Sequence, residues 1–123
     1  MAKKILIIED EEILRNLLRI KLQKEGYQVS AAQDGEDGFN LLKKEPFDLV
    51  LSDVIMPKLG GFEVMEKMGQ DPDLKNIPII IISNSGQPAE LDRARDLGAK
   101  DWLFKTEFDP VEVIVKVKKL LGE

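Results

Sequence analysis

The chain has 123 residues, 43% of them hydrophobic and 33% charged, with a formal net charge of −5. These are the proportions of one globular domain, and they exclude a disordered tail, a collagen and a disulfide scaffold. Cysteine and histidine are both absent, which removes disulfides, thiolate and zinc sites, and histidine acid–base chemistry together.

The acidic balance argues against a nucleic-acid backbone as the main partner. No apolar run reaches the length of a signal peptide core or a membrane span, so a soluble, cytoplasmic protein is expected. No Pro/Gly-rich linker or low-complexity run divides the chain, and residues 1–123 are expected to form a single domain with no output module attached.

Ile5-Leu6-Ile7-Ile8 is continuous and β-branched, as a strand buried on both faces should be. From Glu11 to Glu25 the residues Leu14, Leu17, Leu18 and Leu22 follow a helical period, and Gly26 supplies a stop. Val29 to Ala32 reads as a short strand. Asp34 to Lys44 reads as a helix ended by Pro46, with Phe39 and Leu42 facing inward. Phe47 to Ser52 is a third strand, followed by a loop at Met56-Pro57 and Gly60-Gly61. Phe62 to Met68 is a short helix, and Ile79 to Ile82 is the most apolar strand. Pro88 to Leu97 is a helix with few inward anchors, namely Leu91, Ala94 and Leu97. Trp102-Leu103-Phe104 is the last strand. Asp109-Pro110-x-Glu112 then opens the final helix with an N-cap acid, Pro at the first position and a reciprocal Glu. That helix carries Val111, Val113, Ile114, Val115, Val117, Leu120 and Leu121. Burial in the core is the favoured reading of so wide an apolar surface, with a partner or dimer surface as the other.

Five strands alternating with five helices predict a doubly wound parallel α/β sheet with helices on both faces. Ligands of such folds bind beyond the carboxyl ends of the strands. Glu9 and Asp10 follow the first strand, Asp53 ends the third, Ser83 ends the fourth and Lys105 follows the fifth. Turn chemistry accounts for any one of these, but three carboxylates, a hydroxyl and an ammonium at successive strand ends predict a common site. Two carboxylates about 4–5 Å apart repel by roughly 3–4 kcal/mol at an effective dielectric near 20. Lys105 offsets one, and a hard divalent cation with oxygen ligands, Mg²⁺ above all, suits the rest. Such a site fits phosphoryl transfer, with Asp53 as nucleophile, Lys105 and the cation neutralising phosphoryl oxygens, and Ser83 donating a hydrogen bond.

At these residues the chain resembles the receiver domain of two-component response regulators, a CheY-like family, over essentially its whole length. The resemblance rests on Ile5-Leu6-Ile7-Ile8-Glu9-Asp10-Glu11, on Asp48 through Pro57 with Gly61-Phe62-Glu63-Val64, on Pro78 through Ser83, and on Gly98 through Lys105. It implies a flavodoxin-like (βα)5 fold with strand order 2-1-3-4-5. It also implies that Asp53 accepts a phosphoryl group from a phosphohistidine on a sensor histidine kinase or phosphotransfer protein. Asp10, Asp53 and the Ile55 carbonyl would ligate Mg²⁺, with Glu9 acting through a water. Ser83 and Trp102 would be the switch pair and Lys105 the phosphate-pairing lysine. The fourth helix, fifth strand and fifth helix would signal to a protein target, with the domain a monomer or a weak phosphorylation-dependent dimer. Direct nucleic-acid and membrane contacts are not expected, and neither is enzyme turnover beyond assistance to its own phosphorylation and dephosphorylation.

Three residues depart from the family pattern. Thr106 stands where a cis proline usually follows the lysine, so that peptide is either trans or strained. Trp102 replaces the usual Tyr or Phe; it could swing, lie at the surface or pack in the core. Asn84 replaces a small residue and would narrow access to the phosphate. Ile55 cannot orient a hydrolytic water and Ser85 is short, so slow autodephosphorylation is expected.

A phosphatase of the haloacid-dehalogenase type would need a second Asp where Ile55 stands, and a cap domain. A flavodoxin or nucleotide-binding loop would not carry Glu9-Asp10-Glu11 against a phosphate. The stronger rival is a receiver-like docking module that signals without phosphorylation.

Overall fold

The structure, a computed structural model, describes residues 2–56, 58–84, 87–105 and 109–123. The expectations attached to Pro57, Ser85 and the Lys105–Thr106 peptide therefore lie outside the described residues. Elements alternate strictly: β1 Lys4–Ile8, α1 Glu12–Lys24, β2 Gln28–Ala32, α2 Gly35–Lys44, β3 Leu49–Asp53, α3 Gly61–Gly69, β4 Ile79–Ser83, α4 Pro88–Asp96, β5 Asp101–Phe104 and α5 Pro110–Leu120. All strand pairs are parallel, and the sheet order is β2-β1-β3-β4-β5, as the resemblance implied.

The strands are apolar throughout because each feeds two cores. Side chains alternate across a strand, so Leu6, Ile8, Val50, Ile79 and Ile81 join one cluster with Leu42, Val64, Met65, Met68 and Ala94 of α2, α3 and α4. Ile5, Ile7, Leu49, Leu51, Ile80 and Ile82 join the other with Leu14, Leu18 and Leu22 of α1 and Val113 and Val117 of α5. Each fully buried Ile or Leu contributes about 1.5–3 kcal/mol from area alone, and the central strands leave no polar face to water.

Several boundaries differ from the pattern-based ones for local reasons. β3 begins at Leu49 rather than Phe47, because Asp48 ties down the neighbouring strand instead: its carboxylate accepts from the Lys4 backbone N–H at 2.7 Å. Asp34 caps α2 rather than opening it, accepting from Asp37 N–H at 2.8 Å. Asp109 caps α5 in the same way through Val111 N–H. Of the leucines at helical spacing in α1, Leu17 is turned outward and 37% exposed. Gly26, just past α1, takes φ 95°, a conformation that favours glycine.

α5 divides its apolar residues between two faces. Val113 and Val117 are buried, whereas Val111 and Val115 are 67% and 60% exposed. Core packing thus accounts for the inner face only. No helix among the described residues is long and apolar enough to cross a membrane.

Candidate functional site

Strand register decides which side chains meet. Ile8 pairs with Ser52, Asp53 with Ile82 and Ser83 with Phe104. Glu9 and Lys105, each the next residue after its strand, are thereby carried to the same sheet edge as Asp53 and Ser83. The Lys105 backbone N–H donates to the Ser83 carbonyl at 2.9 Å, which carries the β4–β5 pairing one residue further.

Asp53 is buried and held at both oxygens: Oδ1 accepts from Val54 N–H at 2.7 Å, and Oδ2 accepts from Lys105 Nζ at 2.8 Å. Its backbone is fixed as well. Ser52 Oγ donates to the Asp53 carbonyl at 2.9 Å, and Gly61 N–H donates to the Val54 carbonyl at 2.8 Å. A Cβ on Gly61 would lie 2.2 Å from the Asp53 carbonyl oxygen, so α3 can start this close only on a glycine.

Glu9 is completely buried. Its Oε2 accepts from Glu11 N–H at 2.9 Å and from Lys105 Nζ at 3.0 Å. Its Oε1 is buried and meets no hydrogen-bond donor among the described residues. One oxygen from each of Glu9, Asp10 and Asp53 lies within 4.8 Å of the other two. At that separation a pair of ionised carboxylates repels by about 3 kcal/mol at an effective dielectric of 20. A buried acceptor without a donor is costly, and here it belongs to a cluster of hard oxygen donors of the kind Mg²⁺ takes. The residues present therefore fit a divalent cation.

The chain matches the family described as the response regulator receiver domain over residues 5–118. It belongs to that family. Among curated relatives, it is 36% identical to a probable transcriptional regulator, ycf27, of Guillardia theta, covering 97% of this chain and 45% of the relative. It is also 36% identical to the alkaline phosphatase synthesis transcriptional regulatory protein PhoP of Bacillus subtilis, covering 98% of this chain and 49% of the relative. The chain thus spans about half the length of these relatives. Among solved structures, the chemotaxis protein CheY4 of Vibrio cholerae superposes with a TM-score of 0.92 at 28% identity, covering 98% of this chain and 99% of that one.

Burial and crowded charge shift the protonation of Glu9, Asp53 and Lys105 in this receiver. Burial, reinforced by the Asp53 charge and opposed by the bonds from Glu11 N–H and Lys105, pushes the Glu9 carboxyl up to about 7. Burial also raises Asp53, although Lys105 and Val54 N–H act against it. Burial would lower the Lys105 ammonium, but its bonds to Asp53 and Glu9 outweigh that and hold it above the usual lysine range.

Glu9, Asp10, Asp53, Ser83 and Lys105, expected at one site, do share one sheet edge. Ile55, two residues past Asp53, is 75% exposed on the rim of a groove it shares with Met56, Phe62, Glu63 and Arg93. Trp102 is half-buried against the core on the α4 side, next to a cavity of about 210 Å³ lined by Leu91, Ala94 and Ala99. Its indole N–H is buried and meets no acceptor among the described residues. Trp102 thus packs half-buried rather than lying fully at the surface.

Two residues of the site escaped the sequence reasoning. Glu11 Oε1 accepts from Lys105 Nζ at 3.2 Å. Arg15, one turn into α1, donates to the Glu9 carbonyl at 2.9 Å and the Asp10 carbonyl at 3.4 Å, clamping the acid-bearing loop. The usable signal for Glu11 was its place: a long acid stands at a helix start where Ser, Thr or Asp normally caps.

Proposed function

We propose that this receiver takes a phosphoryl group on Asp53 from the phosphohistidine of a sensor kinase or phosphotransfer protein. One observation carries the reading: a buried Asp53 carboxylate, aimed by Val54 N–H and Lys105 Nζ, beside a buried Glu9 oxygen that no donor among the described residues meets. An Asp53 oxygen attacks phosphorus, forming the acyl phosphate as the phosphorus–nitrogen bond breaks and the imidazole leaves with the electron pair. Lys105 donates to one phosphoryl oxygen, and the Ser83 hydroxyl donates to another. Asp10, Asp53 and the Ile55 carbonyl would hold Mg²⁺, with Glu9 acting through a water. Bound there, the cation supplies positive charge against the phosphoryl oxygens.

Output to a protein target fits the surface of α4, β5 and α5, where Phe104, Val111 and Val115 are exposed and where Trp102, with Ser83 as the switch hydroxyl, would respond to the phosphoryl group. A monomer, or a weak dimer formed on phosphorylation, suits this surface, and a cytoplasmic setting suits a kinase partner. The −5 charge disfavours direct contact of this domain with nucleic acid. The transcriptional regulators it resembles are about twice as long, and what they regulate does not carry over.

Incubation with Mg²⁺ and acetyl phosphate, read by intact mass, tests the assignment. The wild type should gain one phosphoryl group and Asp53→Asn none. A wild type that gains nothing supports the docking module instead.

A further inference from the structure

The Lys105 ammonium has three N–H donors, and three carboxylates use them: Asp53 Oδ2 at 2.8 Å, Glu9 Oε2 at 3.0 Å and Glu11 Oε1 at 3.2 Å. A lysine saturated in this way can meet a phosphoryl oxygen only by releasing a partner. The three are not equally releasable. The Asp53 and Glu9 side chains are buried, whereas that of Glu11 is 56% exposed and can return to water. Glu9 Oε2 is held in addition by Glu11 N–H. The Glu11 bond is the longest of the three and the least costly to desert.

Helix geometry gives a second, independent indication. Glu11 is the N-cap of α1, in extended backbone conformation, yet its side chain makes no capping bond. Ser, Thr, Asp or Asn would cap this position better. The Glu11 side chain instead turns across the site to a lysine 94 residues later, a span that a carboxylate one methylene shorter would not bridge.

We propose that Glu11 is a positioning residue that competes with the incoming phosphoryl group for the third Lys105 donor and so slows loading of this receiver. The inference rests on Asp53 phosphorylation. Because the competition weakens phosphoryl contact equally before and during transfer, it should appear in the concentration of phosphodonor needed rather than in the plateau rate.

The test measures the rate of acetyl phosphate loading against its concentration, in saturating Mg²⁺, for wild type, Glu11→Gln, Glu11→Asp and Glu12→Gln. Glu11→Gln removes the charge, Glu11→Asp keeps the charge but loses the reach, and Glu12→Gln removes a neighbouring charge. Both Glu11 variants should load about two- to fivefold faster below saturation, the weight of one partly exposed ion pair, through a lower KM. Glu12→Gln should match the wild type. Equal or slower loading in the two Glu11 variants overturns the proposal, as does acceleration in Glu11→Gln alone, which would mark a long-range charge effect. A wild type that fails to load overturns the phosphoacceptor reading itself, an outcome distinct from loading that is indifferent to Glu11.

Discussion

On the proposal that Asp53 carries a phosphoryl group, the neighbouring Ile55 side chain bears on how long that group stays. Loss of the phosphoryl group needs a water lined up on phosphorus, and an exposed isoleucine two residues past Asp53 has no donor or acceptor with which to hold it. Ile55→Asn should speed loss of the phosphoryl group about fivefold, the weight of one ordinary hydrogen bond. Following protein-bound phosphate after removal of the phosphodonor measures this, and an unchanged rate would show that the isoleucine is no barrier. At this scale the sequence was informative wherever a polar residue ended an apolar strand: Glu9, Asp53, Ser83 and Lys105 stand out against Ile and Leu. It was uninformative where a contact depends on register between distant segments. The Lys105 bond to Glu11 needs β1, β3, β4 and β5 in place before the residues can meet, and the local Arg15 clamp on two carbonyls needs the turn from β1 into α1.

Among the elements, the start of α3 matters most to Asp53. Gly61 lets that helix approach until its N–H donates to the Val54 carbonyl, and an added Cβ would meet the Asp53 carbonyl oxygen at 2.2 Å and Val54 Cα at 3.0 Å. Both obstacles are backbone, so neither can rotate away. Gly61→Ala should cost about 1–3 kcal/mol of stability through overpacking, read as a lower urea midpoint at an unchanged slope, and should slow Asp53 loading as the strand end shifts. A stability equal to wild type would mean that α3 can slide without disturbing β3. The helix and strand patterns were readable because apolar residues recur at the right periods, as in Leu14, Leu18 and Leu22. The start of β3 was not, since Phe47 is apolar enough to pass for strand while Asp48 spends its carboxylate on the Lys4 backbone. The exposure of Leu17, Val111 and Val115 was equally hidden, because periodicity identifies a helix without saying how wide a stripe its neighbours cover.

For the whole molecule, crowding negative charge at one sheet edge makes folding and cation binding respond to pH in opposite directions. Glu9 is pushed from 4.5 to about 7, chiefly by burial, and Asp53 is raised for the same leading reason. A carboxyl whose folded-state pKa lies above its unfolded one favours the folded chain while protonated. That contribution is complete below about pH 4.5 and is lost as pH rises through about 7. Lys105, raised by its bonds to Asp53 and Glu9, stays charged across this window and adds no slope of its own. Without divalent cations, wild-type stability should therefore fall between about pH 5 and pH 7.5 relative to Glu9→Gln, by on the order of 2–4 kcal/mol. Mg²⁺ binds only the ionised acids, so the stabilisation it adds should grow over the same interval and offset the loss. Urea titrations of both proteins, with chelator and with millimolar Mg²⁺, separate the two effects. Parallel pH profiles for wild type and Glu9→Gln in chelator would mean that the Glu9 carboxyl is not held protonated by burial. The buried oxygen without a donor would then have lost its claim to be the feature that makes the folded chain favour a cation.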